Sequence, residues 1–170
     1  MDEMRQETVE NASGEQDLEI FDFFSCYAHS LDTKGRLIIP NVYREPLGAK
    51  FTVSITPDGE GIALYPETTF DRMIRDLAKL NRYDDLVRRY ISYLAKMSYR
   101  CMETDSQGRL LIPTKLRRQI LGDEVKEVEI SGALDHVRIC STDLAADDDL
   151  FFKEHRAEMN QRISALKAEQ

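Results

Sequence analysis

Tryptophan is absent from this 170-residue chain, and glycine, proline and cysteine are scarce, at 8, 5 and 3 residues. So little glycine and proline excludes a collagen-like or low-complexity chain. The cysteines, Cys26, Cys101 and Cys140, are odd in number and lack a CxxC spacing, which excludes a disulfide framework. Each lies in an apolar, strand-like context, and buried free thiols in a reducing compartment are expected. His29, His136 and His155 form no short ligand pair with them, so no metal or other cofactor is expected. No apolar run approaches the roughly 20 residues that a bilayer span requires. The acidic start lacks the basic-then-apolar pattern of a secretory signal, and the expected location is the cytoplasm. GxxxxGK[ST], HExxH and GxSxG are all missing, and no nucleophile or acid–base pair stands out, so an enzyme is not expected.

Charge is present in quantity but divided unevenly. The net charge is -8, an unpromising figure for a nucleic-acid binder. Residues 1–22 carry -7 of it and residues 143–170 carry -3, which leaves the stretch 23–142 at +2. The acidity belongs to the ends. Binding follows the local field more than the total, so the mildly basic centre keeps an anionic partner in play.

The centre repeats itself. DTKGRLIIP begins at Asp32, and DSQGRLLIP begins at Asp105; six of the nine positions are identical. Each copy continues in the same way. Arg44 lies four residues after Pro40, and Arg117 four after Pro113. Two further strand candidates then follow, FTVSIT (51–56) and GIALYP (61–66) in the first copy, VKEVEIS (125–131) and HVRIC (136–140) in the second. The unit is strand, turn, strand, one helical turn and a hairpin, so the fold class is mainly β with helices (α+β). A unit of about 45 residues seldom buries enough apolar surface alone. Two units sharing one core is the expected solution.

Around the copies, residues 1–19 are polar and acidic and are expected to be disordered. Copy one is placed at 24–69, a helical linker at 70–98, copy two at 99–142 and a C-terminal helix at 143–170. The linker holds two amphipathic helices, the first capped by Thr68 or Thr69 with Asp71 in its first turn. The last helix is expected over about Leu150 to Leu166, with Phe151, Phe152, His155, Met159 and Ile163 along one side. DGEG at 58–61 is a hairpin turn, and the acidic run ADDDL at 146–150 is a solvated surface without ordered ligand spacing.

The repeated D-x-x-G-R turn has a definite physical logic. Asp32 and Asp105 can accept backbone N–H groups of their own turn. Gly35 and Gly108 permit a positive φ. Pro40 and Pro113 stop the strand and suit the first position of a helix. This much describes a well-made structural corner. Arg36 and Arg109 leave each bend, and Lys34 adds a second cation to the first loop. Those side chains can serve an internal ion pair with an Asp, or bind phosphates and guanine edges. Thr33 and Ser106 hydroxyls and the turn amides can bind phosphate oxygens. Gln107 stands where the first copy has Lys34, so the two loops should contribute unequally.

The stretches YAHSLDTKGRLIIPNVYRE, GIALYP, VRRYISYLAKMSYRCMETDSQGRLLIP and LRRQILG resemble the MraZ family of bacterial transcriptional regulators over roughly Phe24 to Cys140. The resemblance implies two tandem SpoVT-AbrB-like half-domains joined as a pseudo-dimeric, swapped-hairpin (double-split) β-barrel. It implies a cytoplasmic, nucleoid-associated DNA-binding regulator of the division and cell-wall gene cluster. Its partners would be double-stranded promoter DNA with short direct repeats, and itself in a ring-shaped homo-oligomer. DNA contacts carry over onto Lys34, Arg36 and Arg109, with Thr33, Ser106 and Gln107 as further turn positions. The acidic extension before Phe24 and Gln107 depart from the family pattern. A competing reading is an antitoxin-like or scaffold interaction module, in which the helices and acidic ends bind a protein and the turns are structural.

Overall fold

The computed structural model describes residues 21–81 and 83–170. The expectation for residues 1–19 falls outside them.

The first copy comprises β1 (Cys26–Ser30), β2 (Arg36–Ile38), α1 (Asn41–Leu47), β3 (Phe51–Ile55) and β4 (Ile62–Pro66). The linker holds α2 (Glu67–Lys79) and α3 (Asp85–Lys96). The second copy repeats the first as β5 (Tyr99–Met102), β6 (Arg109–Leu111), α4 (Thr114–Ile120), β7 (Glu127–Gly132) and β8 (Val137–Ser141), and α5 (Thr142–Ala168) closes the chain. The molecule is α+β with antiparallel strands.

The copies are interleaved. A six-stranded sheet runs in the order β1-β7-β8-β4-β3-β5, beside a two-stranded ribbon of β2 and β6. The first strand of each copy therefore pairs with the hairpin of the other: β1 with β7, and β5 with β3. The two hairpins meet at β4 and β8. Exchanging the copies and reversing direction leaves this order unchanged, which is the signature of a pseudo-twofold relation. Leu37, Ile39, Val53, Ile62, Leu64, Leu110, Ile112, Leu116, Val128, Ile130, Val137 and Ile139 make one core at zero or 1 % exposure. Both copies fill it, so neither owns a complete core.

Several details differ from the sequence expectations, each for a physical reason. Helix α2 starts at Glu67 with Pro66 before it and no side-chain cap, so neither Thr68 nor Thr69 caps it. Glu67 is engaged elsewhere: it accepts from the Cys101 amide at 2.8 Å and pairs with Arg100, which also reaches Asp71 at 2.8 Å. The helix start is thereby riveted to β5. Helix α3 is capped by Asp84, whose carboxylate accepts from the Leu86 and Val87 amides. Helix α5 begins at Thr142 rather than near Leu150, because Ser141 ends β8 and accepts from the Leu144 amide at 3.2 Å. Cys140 is buried, but Cys26 and Cys101 are exposed, contrary to the expectation of buried thiols. They lie on β1 and β5, the two edges of the sheet, where one flank has no neighbouring strand.

Leu110→Ala should lower stability by about 2–5 kcal/mol through the cavity left in the shared core. Urea unfolding of that variant should remain one transition, because the loss falls on both copies at once.

Candidate nucleic-acid interface

Each repeated turn is organised by its aspartate. In the first, the Asp32 carboxylate accepts from the amides of Lys34 and Arg36, both at 2.9 Å, and from Arg36 Nε at 2.6 Å. In the second, Asp105 accepts from the amides of Gln107 at 2.9 Å and Arg109 at 3.0 Å, and from Arg109 Nε at 2.7 Å. Backbone bonds complete both: the Gly35 amide donates to the Asp32 carbonyl, and the Gly108 amide to the Asp105 carbonyl, each at 2.9 Å. Gly35 and Gly108 adopt φ of +79° and +76°, values that cost any residue with a side chain. Asp32 and Asp105 thus fulfil both structural possibilities at once, turn acceptor and ion-pair partner.

The ion pairs do not withdraw the arginines from solvent. The side chains of Arg36 and Arg109 remain 30 % and 29 % exposed. Both side chains bond their aspartate through Nε, and a guanidinium bonded there still carries donors at its terminal nitrogens. Thr33, Lys34, Ser106 and Gln107 are exposed at the tips.

The ribbon decides how the two turns relate. Arg36 pairs with Leu111, Leu37 with Leu110 and Ile38 with Arg109. Leu37 and Leu110 point into the core, so their neighbours point the other way: Arg36, Ile38, Arg109 and Leu111 form the outer face. Because the strands are antiparallel, the two turns sit at opposite ends of the ribbon. Their arginines nevertheless share that one face as diagonal neighbours, about 7–8 Å apart at the backbone. Exposed Ile38 and Leu111 lie between them.

The ends of the ribbon are stitched across the copies. The Ile39 amide donates to the Gly108 carbonyl at 3.0 Å, and the Ile112 amide to the Gly35 carbonyl at 3.2 Å. Pro40 and Pro113 then sit immediately before α1 and α4 rather than at their first positions. From these helices come two residues to which sequence reasoning gave no role. Arg44 of the first copy lies against Gly108 of the second, so closely that a Cβ there would fall within its guanidinium. Arg117 of the second copy lies against Gly35 of the first, with Nε 2.9 Å from where a Cβ would stand. Their equivalent places four residues after the repeated prolines were the available signal.

The electrostatics follow from this geometry. The Arg36 amide, the Arg36 guanidinium and the Lys34 amide hold the Asp32 carboxyl down at about 2, from an ordinary 3.8. Asp105 is lowered as well, chiefly by the Arg109 amide. Both carboxylates stay ionised at neutral pH, so each arginine keeps an oriented partner.

Comparison with known proteins points the same way. Residues 23–91 match the family model described as MraZ protein, with an antitoxin-like character also noted. The chain is 34 % identical over 120 residues to a protein of Finegoldia magna named "Transcriptional regulator MraZ", covering 69 % of this chain and 79 % of that one. A protein of the same name from Dictyoglomus turgidum is 32 % identical over 149 residues, covering 85 % of this chain and 97 % of its own. The like-named protein of Moorella thermoacetica is 35 % identical over 119 residues, at 70 % and 80 % coverage.

A carboxyl depressed in the folded state stabilises its turn fully above its unfolded value and loses that contribution as pH falls through the folded one. The Asp32 carboxyl resonance should therefore titrate with a midpoint near 2 rather than 3.8, and its turn should loosen only across that acid window. An ordinary midpoint would contradict the bonding described.

Proposed function

The chain belongs to the MraZ family, and we propose that it is a non-enzymatic, DNA-binding transcriptional regulator that reads double-stranded DNA with the outer face of the β2–β6 ribbon. The observation that supports this reading is the ribbon register, which puts part-exposed Arg36 and Arg109 on the same outer face. A guanidinium held at Nε presents its remaining fork to a phosphate or to a guanine edge in the major groove. Lys34 adds charge at one end, and the exposed turn residues Thr33, Ser106 and Gln107 add polar contacts. Ile38 and Leu111 offer apolar contact between the cations. The two carboxylates spoil any undifferentiated attraction to phosphate, so the face suits oriented contacts better than bulk charge.

The finer reading has its own supports. The interleaved sheet order favours a pseudo-dimeric, swapped-hairpin β-barrel built from two AbrB-like half-domains. One such unit neutralises few phosphates and binds weakly. Several units on closely spaced direct repeats raise the effective concentration of each later contact. The helical surfaces suit a ring-shaped homo-oligomer: Phe151, Phe152, Ile163 and Leu166 of α5 are exposed, as are Leu86, Tyr90 and Tyr93 of α3. A regulator of this kind acts in the cytoplasm on the nucleoid, and the division and cell-wall gene cluster is its proposed target. Among the described residues, no helix is long and apolar enough to cross a membrane.

The test is binding to a duplex from upstream of its own gene. Arg36→Ala should weaken binding by about 10- to 100-fold and lower the salt slope by about one, with circular dichroism and oligomer size unchanged. Arg109→Ala should cost less, because Gln107 leaves its loop one cation poorer. Retention that ignores both sequence and salt would instead favour an antitoxin-like or scaffold module working through the helices.

A further inference from the structure

The turn arginines are held at Nε by their aspartates, but something must also hold the turns. Each turn is a five-residue bend ending a strand, and its own bonds fix its shape without fixing its direction. The direction comes from the other copy. At one end of the ribbon, the Ile39 peptide works on both sides: its amide donates to the Gly108 carbonyl, and its carbonyl accepts from Arg44 Nε at 2.7 Å. The Arg44 guanidinium then lies on Gly108 itself, the residue before Arg109. Strand end, helix arginine and opposite turn form a closed bracket. The far end repeats it in part: the Ile112 amide donates to the Gly35 carbonyl and Arg117 lies against Gly35, the residue before Arg36, without a bond from Arg117 Nε to the Ile112 carbonyl to close the bracket. The glycines are thus required twice over, for positive φ and for the flat approach of a guanidinium.

We propose that Arg44 and Arg117 are positioning residues of the DNA-binding face, each clasping the turn of the opposite copy so that Arg109 and Arg36 respectively are held outward. This rests on the DNA-binding reading given above. At Arg44 the role needs the planar fork and not merely a charge, because Gly108 is met by the guanidinium carbon and both terminal nitrogens, whereas Arg117 meets Gly35 with Nε, Cζ and Cδ. The two clasps are not equal. Arg44 is anchored by its bond to the Ile39 carbonyl, whereas Arg117 Nε is buried with no hydrogen-bond partner among the described residues. The Arg44 clasp is therefore the tighter, and its loss is felt more.

The experiment uses the full chain with Arg44→Lys, Arg44→Met, Arg117→Lys and Arg117→Met. The first measurement is amide hydrogen exchange without DNA. Arg44→Met should speed exchange about tenfold in the second turn, residues 105–109, and leave the first turn unchanged. Arg117→Met should do the reverse, with a smaller increase. Faster exchange in the variant's own copy, everywhere, or nowhere would overturn the clasp. The second measurement is fluorescence anisotropy with a labelled duplex from upstream of its own gene, across a salt series. Both Arg44 variants should bind about tenfold more weakly, as when a charge-assisted hydrogen bond is misaligned, with the salt slope unchanged. Full binding by Arg44→Lys, or a slope reduced by about one in Arg44→Met, would make Arg44 a simple charge or a direct phosphate contact and end the positioning role. Should the wild-type chain ignore the duplex, the regulatory reading falls and the DNA-facing half of this proposal with it. The exchange data would still decide the clasp.

Discussion

Leu37 faces Leu110 at the middle of a ribbon whose strands are three residues each. Two strands of that length, left to themselves in water, would not stay paired. What keeps them together is that both leucines are fully buried in a core built by both copies. The inward pull on this one pair sets the ribbon's register, and period-two alternation then leaves Arg36, Ile38, Arg109 and Leu111 no choice but to face out. A slip of one residue would drive the arginines toward the core and the leucines into solvent. Placement of the cations is thus a by-product of hydrophobic burial, and a robust one.

Burial alone would deliver flexible cations. The turns add orientation by local bonding, at some expense in net charge. Each aspartate serves two amides and one guanidinium, a geometry that recurs almost atom for atom in both copies despite Thr33/Ser106 and Lys34/Gln107 differing. The variable positions are those whose side chains the turn does not use, and the identical ones are those it does. Tyr43 shows the same economy on the first copy alone: its hydroxyl donates toward the Phe24 and Ser25 carbonyls, and burial pushes its pKa up to about 12. It fastens the chain entering β1 to the helix that follows the ribbon.

Much of this was legible in the sequence because it is local. The duplicated nonapeptide announces the turn, and the PDGEG turn between two strands announces a hairpin. What the sequence could not express was anything set by the partner copy. Cys26 and Cys101 look like core residues in an apolar context, and only the sheet order makes them edge residues. Thr68 and Thr69 look like caps, but Pro66 can start a helix without one while Glu67 is taken by Arg100 and Cys101 across the sheet. Arg44 and Arg117 carried a visible repeat and an invisible reason, since their contacts lie on glycines 64 and 82 residues away in the chain.

The interleaving also constrains how such a site can change. In a dimer of identical chains, any substitution in the turn appears twice, and the two ends of the ribbon must stay alike. Joining both copies in one chain removes that restriction while the shared core preserves the geometry. Lys34 against Gln107, and an anchored Arg44 against an unsatisfied Arg117 Nε, are differences that only a fused pair can hold. The ribbon face therefore has a direction: a more cationic end and a more neutral one, a tighter clasp over the second turn and a looser one over the first. A face with direction suits a target that is itself not palindromic. Head-to-tail sites on a duplex meet that condition, because every site then presents the same end to the same turn. Fusion and local asymmetry thus go together once the two leucines have fixed the ribbon, and both agree with the direct-repeat target proposed above.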